Sequence, residues 1–147
     1  MKRRHLFAAI LTGSVLAGCA TAPGPQFSTL EAAPSDKAQL YLYRKSALYA
    51  VGATYPVYTA NREKLGELYN ASYLVLPLSP GKHKLTVEEG GFASPKSFEV
   101  VAEPGKTMFV EYDSSKGLLL GWGLLSGSAA KTREQALADL KDLKRAN

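Results

Sequence analysis

The sequence predicts a mainly β domain, a small antiparallel β-sandwich of about seven strands, closed by a C-terminal amphipathic helix. Three observations predict it. Short runs such as Ala38–Arg44 and Thr107–Tyr112 alternate apolar and polar or tyrosine residues, the period of a half-buried strand. Pro-Gly-Lys turns at 80–82 and 104–106 punctuate the runs. Only the final stretch, Lys131 to Arg145, changes to a helical spacing of leucines.

In chain order, Ala38, Leu40 and Leu42 are expected to face a core. Tyr41 and Tyr43 would cover the opposite face with their hydroxyls in water. Residues 45–54 read as a loop, with Gly52 at a bend. Tyr55–Ala60 is a second strand, and Pro56, which has no N–H to donate, belongs on an edge or at the strand start. Asn61–Lys64 is a polar turn and Leu65–Tyr69 the returning strand. Asn70-Ala71-Ser72, which also matches a glycosylation acceptor, is read as a short turn before the strand Tyr73–Leu78.

At Ser79–Lys82, Pro80 presets φ and Gly81 supplies a positive φ where the turn is type II. His83–Glu88 follows as a strand with Leu85 and Val87 inward, ended by Gly90-Gly91. Ser97–Ala102 alternates again with Phe98 and Val100 inward, and the turn Glu103–Lys106 leads into Thr107–Tyr112. In the last stretch, Thr132 and Gln135 form a candidate capping box. Leu137, Leu140 and Leu143 make one apolar stripe, while Lys144 and Arg145 suit the negative end of the helix dipole.

Ahead of the domain, Lys2, Arg3 and Arg4 precede an apolar run from Leu6 to Val15, too short for a membrane span, which needs about 20 residues. Leu16-Ala17-Gly18-Cys19 closes it and resembles the lipobox of bacterial lipoproteins. The resemblance implies cleavage between Gly18 and Cys19 and a diacylglyceryl group on the Cys19 thiol, usually with an acylated amine. Cys19 is the only cysteine, so no disulfide partner competes for it within the chain. Ala20, where an aspartate would mark inner-membrane retention, implies an anchor in the outer membrane, facing the periplasm. The expected organisation is a signal peptide over 1–18, a lipidated cysteine and flexible tether over 19–36, and one domain over 37–147. Pro23, Pro25 and Pro34 underlie the tether, on which Phe27 and Leu30 are candidate docking residues.

The formal charge of +5 owes much to the leader: without Lys2, Arg3 and Arg4 the 18 basic residues become 15 against 13 acidic ones. A balance near +2 gives no case for nucleic acid.

Several segments together resemble a family of small bacterial lipoprotein domains of unknown function. They are Leu40-Tyr41-Leu42-Tyr43-Arg44, the return Leu65-Gly66-Glu67-Leu68, Pro80-Gly81-Lys82-His83, and Pro104-Gly105-Lys106-Thr107 with Phe109-Val110. The family is marked by a tyrosine-x-tyrosine-arginine strand and a Pro-Gly-x-His turn. The hairpin and following strands are also similar to PEGA-type surface domains, although the Gly-x-x-Pro of that pattern is lacking after the return. The resemblance carries no catalytic residue.

Chemistry-bearing residues in a recognisable pattern are few. His83 is the only histidine beyond the leader, too few for a histidine-rich metal site, and no nucleophile elbow is present. It is expected to pack or hydrogen-bond locally beside its turn. Glu88 and Glu89, adjacent on a strand, point to opposite faces. Glu111 and Asp113 share a face that is read as solvated. No catalytic residue, metal site or cofactor is expected beyond the covalent lipid on Cys19.

The uncharged segment Gly117–Gly127 is the best contact candidate. Exposed, its Trp122, Leu120 and Leu124 form an apolar patch for a partner or lipid. Packed, it is a glycine-rich strand under the final helix, which the solubility cost of exposed leucines favours. Tyr41 and Tyr43 are second contact candidates, for a glycan or a peptide. The expected function is a lipid-anchored, non-catalytic envelope binding module whose partner is a protein or glycan. The alternatives are a passive structural role and a hydrolase or glycan-active enzyme built on His83 or on Glu111 with Asp113.

Overall fold

The computed structural model describes residues 21–48, 50–90, 94–113 and 128–147. The leader, the Leu16–Cys19 motif and the Gly117–Gly127 segment with Leu120, Trp122 and Leu124 lie outside the described residues.

Among the described residues the strands are β1 (Ala38–Arg44), β2 (Tyr55–Thr59), β3 (Lys64–Leu68), β4 (Ser72–Leu78), β5 (Gly81–Val87), β6 (Lys96–Ala102), β7 (Thr107–Tyr112), β8 (Ser128–Ala130) and β9 (Lys144–Arg145), with one helix, α1 (Arg133–Leu140). They form two sheets, ordered β8-β7-β1-β4-β9 and β3-β2-β5-β6. The architecture is the expected small sandwich, but its larger sheet is mixed. β1 runs antiparallel to β4 and parallel to β7, and β4 runs parallel to β9. A parallel pair needs a long crossover, and the intervening strands supply it between β1 and β7.

The core between the sheets follows the period of two. Ala38, Leu40 and Leu42 of β1 meet Leu74, Leu76 and Leu78 of β4, with Val57, Leu68, Leu85 and Val87 from the second sheet. Pro56 sits in an interior strand but near its start, before the β5 ladder begins at Val57. Its carbonyl accepts from Glu88 N at 3.0 Å, so the strand loses little by its missing N–H. At Gly66 the sheets come so close that a Cβ would stand 2.7 Å from Leu74 Cδ2. Gly81 and Gly105 carry the positive φ expected of the two Pro-Gly turns.

A second core lies on the outer face of the larger sheet. Tyr41, Tyr43, Tyr73, Val75 and Phe109 pack there beneath Ala136, Leu140 and Leu143, with Phe27 and Leu30 at the margin. The helix opens with the expected capping box: Gln135 N donates to Thr132 Oγ1 and Thr132 N to Gln135 Oε1. It stops at Leu140, shorter than the periodicity suggested. Leu143 N closes a tight turn onto Leu140 O at 2.9 Å, and the edge of β4 then captures the chain. Lys144 N donates to Ala71 O and Ala146 N to Tyr73 O. Lys144 and Arg145 therefore belong to β9 and do not serve the helix dipole.

The N-terminal stretch also departs from expectation. Residues 21–31 are not a free tether but a strap that extends the larger sheet. Gly24 N donates to Arg145 O (2.9 Å), Arg145 N to Pro25 O (2.8 Å) and Phe27 N to Leu143 O (2.9 Å). Prolines oppose helix and internal ladders, yet an edge segment satisfies half its backbone from its neighbour and leaves the rest to water. Gly24 is needed at the contact, because a Cβ there would stand 2.6 Å from Arg145 O.

Candidate functional site

The polar chemistry of the domain gathers at the end of the sandwich where β1 finishes. Arg44 continues the inward phase of Ala38, Leu40 and Leu42, so its guanidinium enters the core and is 2 % exposed. Two carbonyls hold it: Nη1 donates to Ala53 O (2.9 Å) and Nη2 to Ala50 O (2.8 Å). Its Cζ lies 4.5 Å from the centre of the Tyr55 ring, which meets Tyr112 edge-on at 5.7 Å. Burial lowers the pKa of Arg44 from its ordinary value. The carbonyls and the aromatic face compensate the desolvated cation, and together they fold the 45–54 loop back over the end of the core. Tyr112 Oη donates to Glu89, while Glu88 turns the other way to pair with Arg62.

On the outer face of the same end, Glu111 is buried between two lysines. Lys45 Nζ lies 2.9 Å from Oε1 and Lys131 Nζ 2.6 Å from Oε2. Burial alone would raise the Glu111 pKa, but the hydrogen bonds from Lys131 and Lys45 outweigh it and hold the carboxyl below its ordinary range. Tyr43 Oη donates to Asp139 Oδ2 at 2.8 Å, tying α1 to β1. Burial, and then this bond to a carboxylate, push the Tyr43 phenol well above its ordinary pKa. Arg44, Lys45, Ser46, Ala47, Glu111 and Asp113 line a cleft here of about 200 Å³.

A rim of loops surrounds this end. Asn70 Oδ1 accepts from Ala47 N at 3.0 Å, and Asn70 also bridges to Thr21 at the start of the strap. Beyond Ala47, Leu48 is 98 % exposed, and Val51 is 49 % exposed.

The expected contact residues Tyr41 and Tyr43 are not available on the surface. Both are almost fully buried, Tyr41 stacked near Tyr73 and Phe109 with its hydroxyl accepting from Glu31 N at 2.8 Å. The strap and α1 cover the face that alternation alone leaves wet. Glu111, read as solvated, is buried and ion-paired for the same reason. His83 behaves as a turn residue: its Nε2–H donates to Ser79 O at 2.7 Å. Among the described residues no group of acidic, histidine or cysteine side chains is arranged to hold a metal ion.

Arg44, Leu48 and Val51 escaped the sequence reading. For Arg44 the signal was present, since its phase along β1 is that of Leu40 and Leu42. Leu48 and Val51 lie in a loop, where periodicity is silent.

Fold and site together define a small two-sheet β domain whose tyrosine-x-tyrosine-arginine strand closes one end of the core. The chain belongs to the family described as Protein of unknown function (DUF2846), whose model matches residues 34–121. The match takes in β1 to β7 but neither the 21–31 part of the strap nor α1 and β9, which cover the outer face. No curated protein matches the chain.

Proposed function

We propose that this protein is a lipid-anchored module of the bacterial envelope, facing the periplasm from the outer membrane, that binds a partner rather than transforming a substrate. The observation that carries the reading is the course of the strap. Thr21, two residues after the lipobox-like cysteine, is bridged to Asn70. Two residues reach at most about 7 Å. An acyl chain on Cys19 would therefore hold the domain against the bilayer and not at the end of a long tether. Two or more acyl chains are needed for stable anchoring, which the resemblance to lipoproteins implies.

Binding is favoured over catalysis because the chemistry-bearing side chains are spent on one another. Glu111 is paired with two lysines, Tyr112 is bound to Glu89, Glu88 to Arg62, and His83 to its own turn. With Tyr41 and Tyr43 committed to the second core, Trp122 with Leu120 and Leu124 becomes the principal candidate contact for an envelope protein or glycan.

The test is crosslinking in intact cells and recovery from membranes, comparing the native chain with Cys19→Ala and Trp122→Ala at matched expression and folding. Native protein should incorporate labelled palmitate and fractionate with the outer membrane, and Cys19→Ala should do neither. A crosslinked partner should be lost with Trp122→Ala. Unchanged membrane association and labelling in Cys19→Ala would refute the anchor. Equal partner recovery from Trp122→Ala would remove that contact.

A further inference from the structure

We infer that Leu48 and Val51 dip into the membrane interface beside the acyl anchor, making the Arg44 end of the sandwich the membrane-facing surface. The inference rests on the lipid-anchor reading above and adds to it an orientation and a second, non-covalent lipid contact.

Three observations converge on it. Among the described residues the large apolar side chains left in solvent are Leu48, Val51 and Val101. Val101 stands alone on β6 near the opposite end, where Gly81 pairs with Ala102. A single exposed apolar residue of that kind needs no explanation. Leu48 and Val51 instead share one loop.

The described residues of that loop are tied down on both sides of Leu48. Arg44 clamps it from below through Ala50 O and Ala53 O, and Asn70 holds its near side through Ala47 N. Leu48, at 98 % exposure, stands between Ala47 and Ala50, both of which are hydrogen-bonded, and so is presented to its surroundings. Finally, Asn70 is also the residue to which Thr21 is bridged. The same residue thus touches, through its side chain, the loop that carries Leu48 and, through its backbone, the residue that lies two positions from Cys19. The length of chain between strap and lipid leaves this end of the domain no room to stand away from the bilayer. The occupant that the apolar tip meets is the lipid surface holding the protein's own anchor.

The experiment uses the full acylated protein in vesicles of phosphatidylethanolamine and phosphatidylglycerol. Acylation consumes the thiol of the single native cysteine, so one environment-sensitive fluorophore is attached in turn at Leu48→Cys, Val51→Cys and Val101→Cys. All three sites are exposed, so the fold should be indifferent to the label. Quenching by shallow spin-labelled lipids is expected to be several-fold stronger at 48 and 51 than at 101, with blue-shifted emission. Equal, water-like emission at the three sites in protein shown by mass to be acylated overturns the orientation and leaves the anchor standing. A native Cys19 without acyl mass removes both.

Discussion

Along β5, Lys82 and Lys84 alternate with inward Leu85 and Val87, and the lysines stand in solvent as charge requires. Along β1 the same alternation places Tyr41 and Tyr43 opposite Leu40 and Leu42, but both faces are buried. The smaller sheet keeps one outer face in water; the larger sheet loses its outer face to the strap and α1. The difference teaches that a lysine row states its own exposure, because burying unpaired ammonium groups is prohibitive, while a tyrosine row does not. A tyrosine can be covered wherever its hydroxyl finds a partner, as Tyr41 does at Glu31 N and Tyr43 at Asp139.

The sharpest way to break the comparison is to truncate one outer residue on each sheet. Tyr43→Ala removes a buried ring and the tie to α1, and should cost about 3–5 kcal/mol in denaturant unfolding. Lys84→Ala should stay within about 0.5 kcal/mol. Similar losses from both would mean that the second core is not a core.

Next in size is Glu111→Gln, which strands Lys131, leaves Lys45 only its longer pairing with Asp139 at 3.7 Å, and should cost about 3 kcal/mol near neutral pH. Because the Glu111 pKa is depressed in the folded protein, its contribution is present above the ordinary value of about 4.3 and is lost as pH falls through the lower folded value. Unfolding followed against pH should show the native chain and Glu111→Gln converging in acid; a constant gap between them would count against the buried pair.

Gly24→Ala tests the cover itself. Its Cβ would collide with the Arg145 carbonyl, so a loss of about 1–3 kcal/mol is expected. Hydrogen exchange should accelerate at the Gly24, Phe27 and Arg145 amides but not in β5 or β6. Thr132→Ala, the smallest effect, removes one side of the capping box and should cost about 1 kcal/mol. Fraying by circular dichroism and faster exchange at Gln135 would report it.

The strands from β1 to β7 were legible because each alternates over several residues between punctuating turns, and local period decides them. The capping box was legible for the same local reason. The fate of Lys144 and Arg145 was not: helix propensity carries the pattern through them, and the free edge of β4 outbids it by accepting backbone hydrogen bonds at the Ala71 and Tyr73 carbonyls. The Leu48 tip was invisible because a loop residue's exposure depends on which distant groups hold the loop, here Arg44 and Asn70.

By itself the sequence determined the β class, the boundaries of β1 to β7 to within a residue or two, the inward set of leucines and valines and the Pro-Gly turns. These rest on the period of the strand and on glycine and proline stereochemistry, which act between near neighbours. Tertiary structure decided that β7 lies parallel to β1, that residues 21–31 and 133–147 roof the tyrosine face, and that the strap, Asn70 and the Leu48 loop meet at one end. Those outcomes depend on contacts between segments many residues apart. Whether a half-polar face is wet or covered is settled by which of those segments can satisfy their own backbone while covering it.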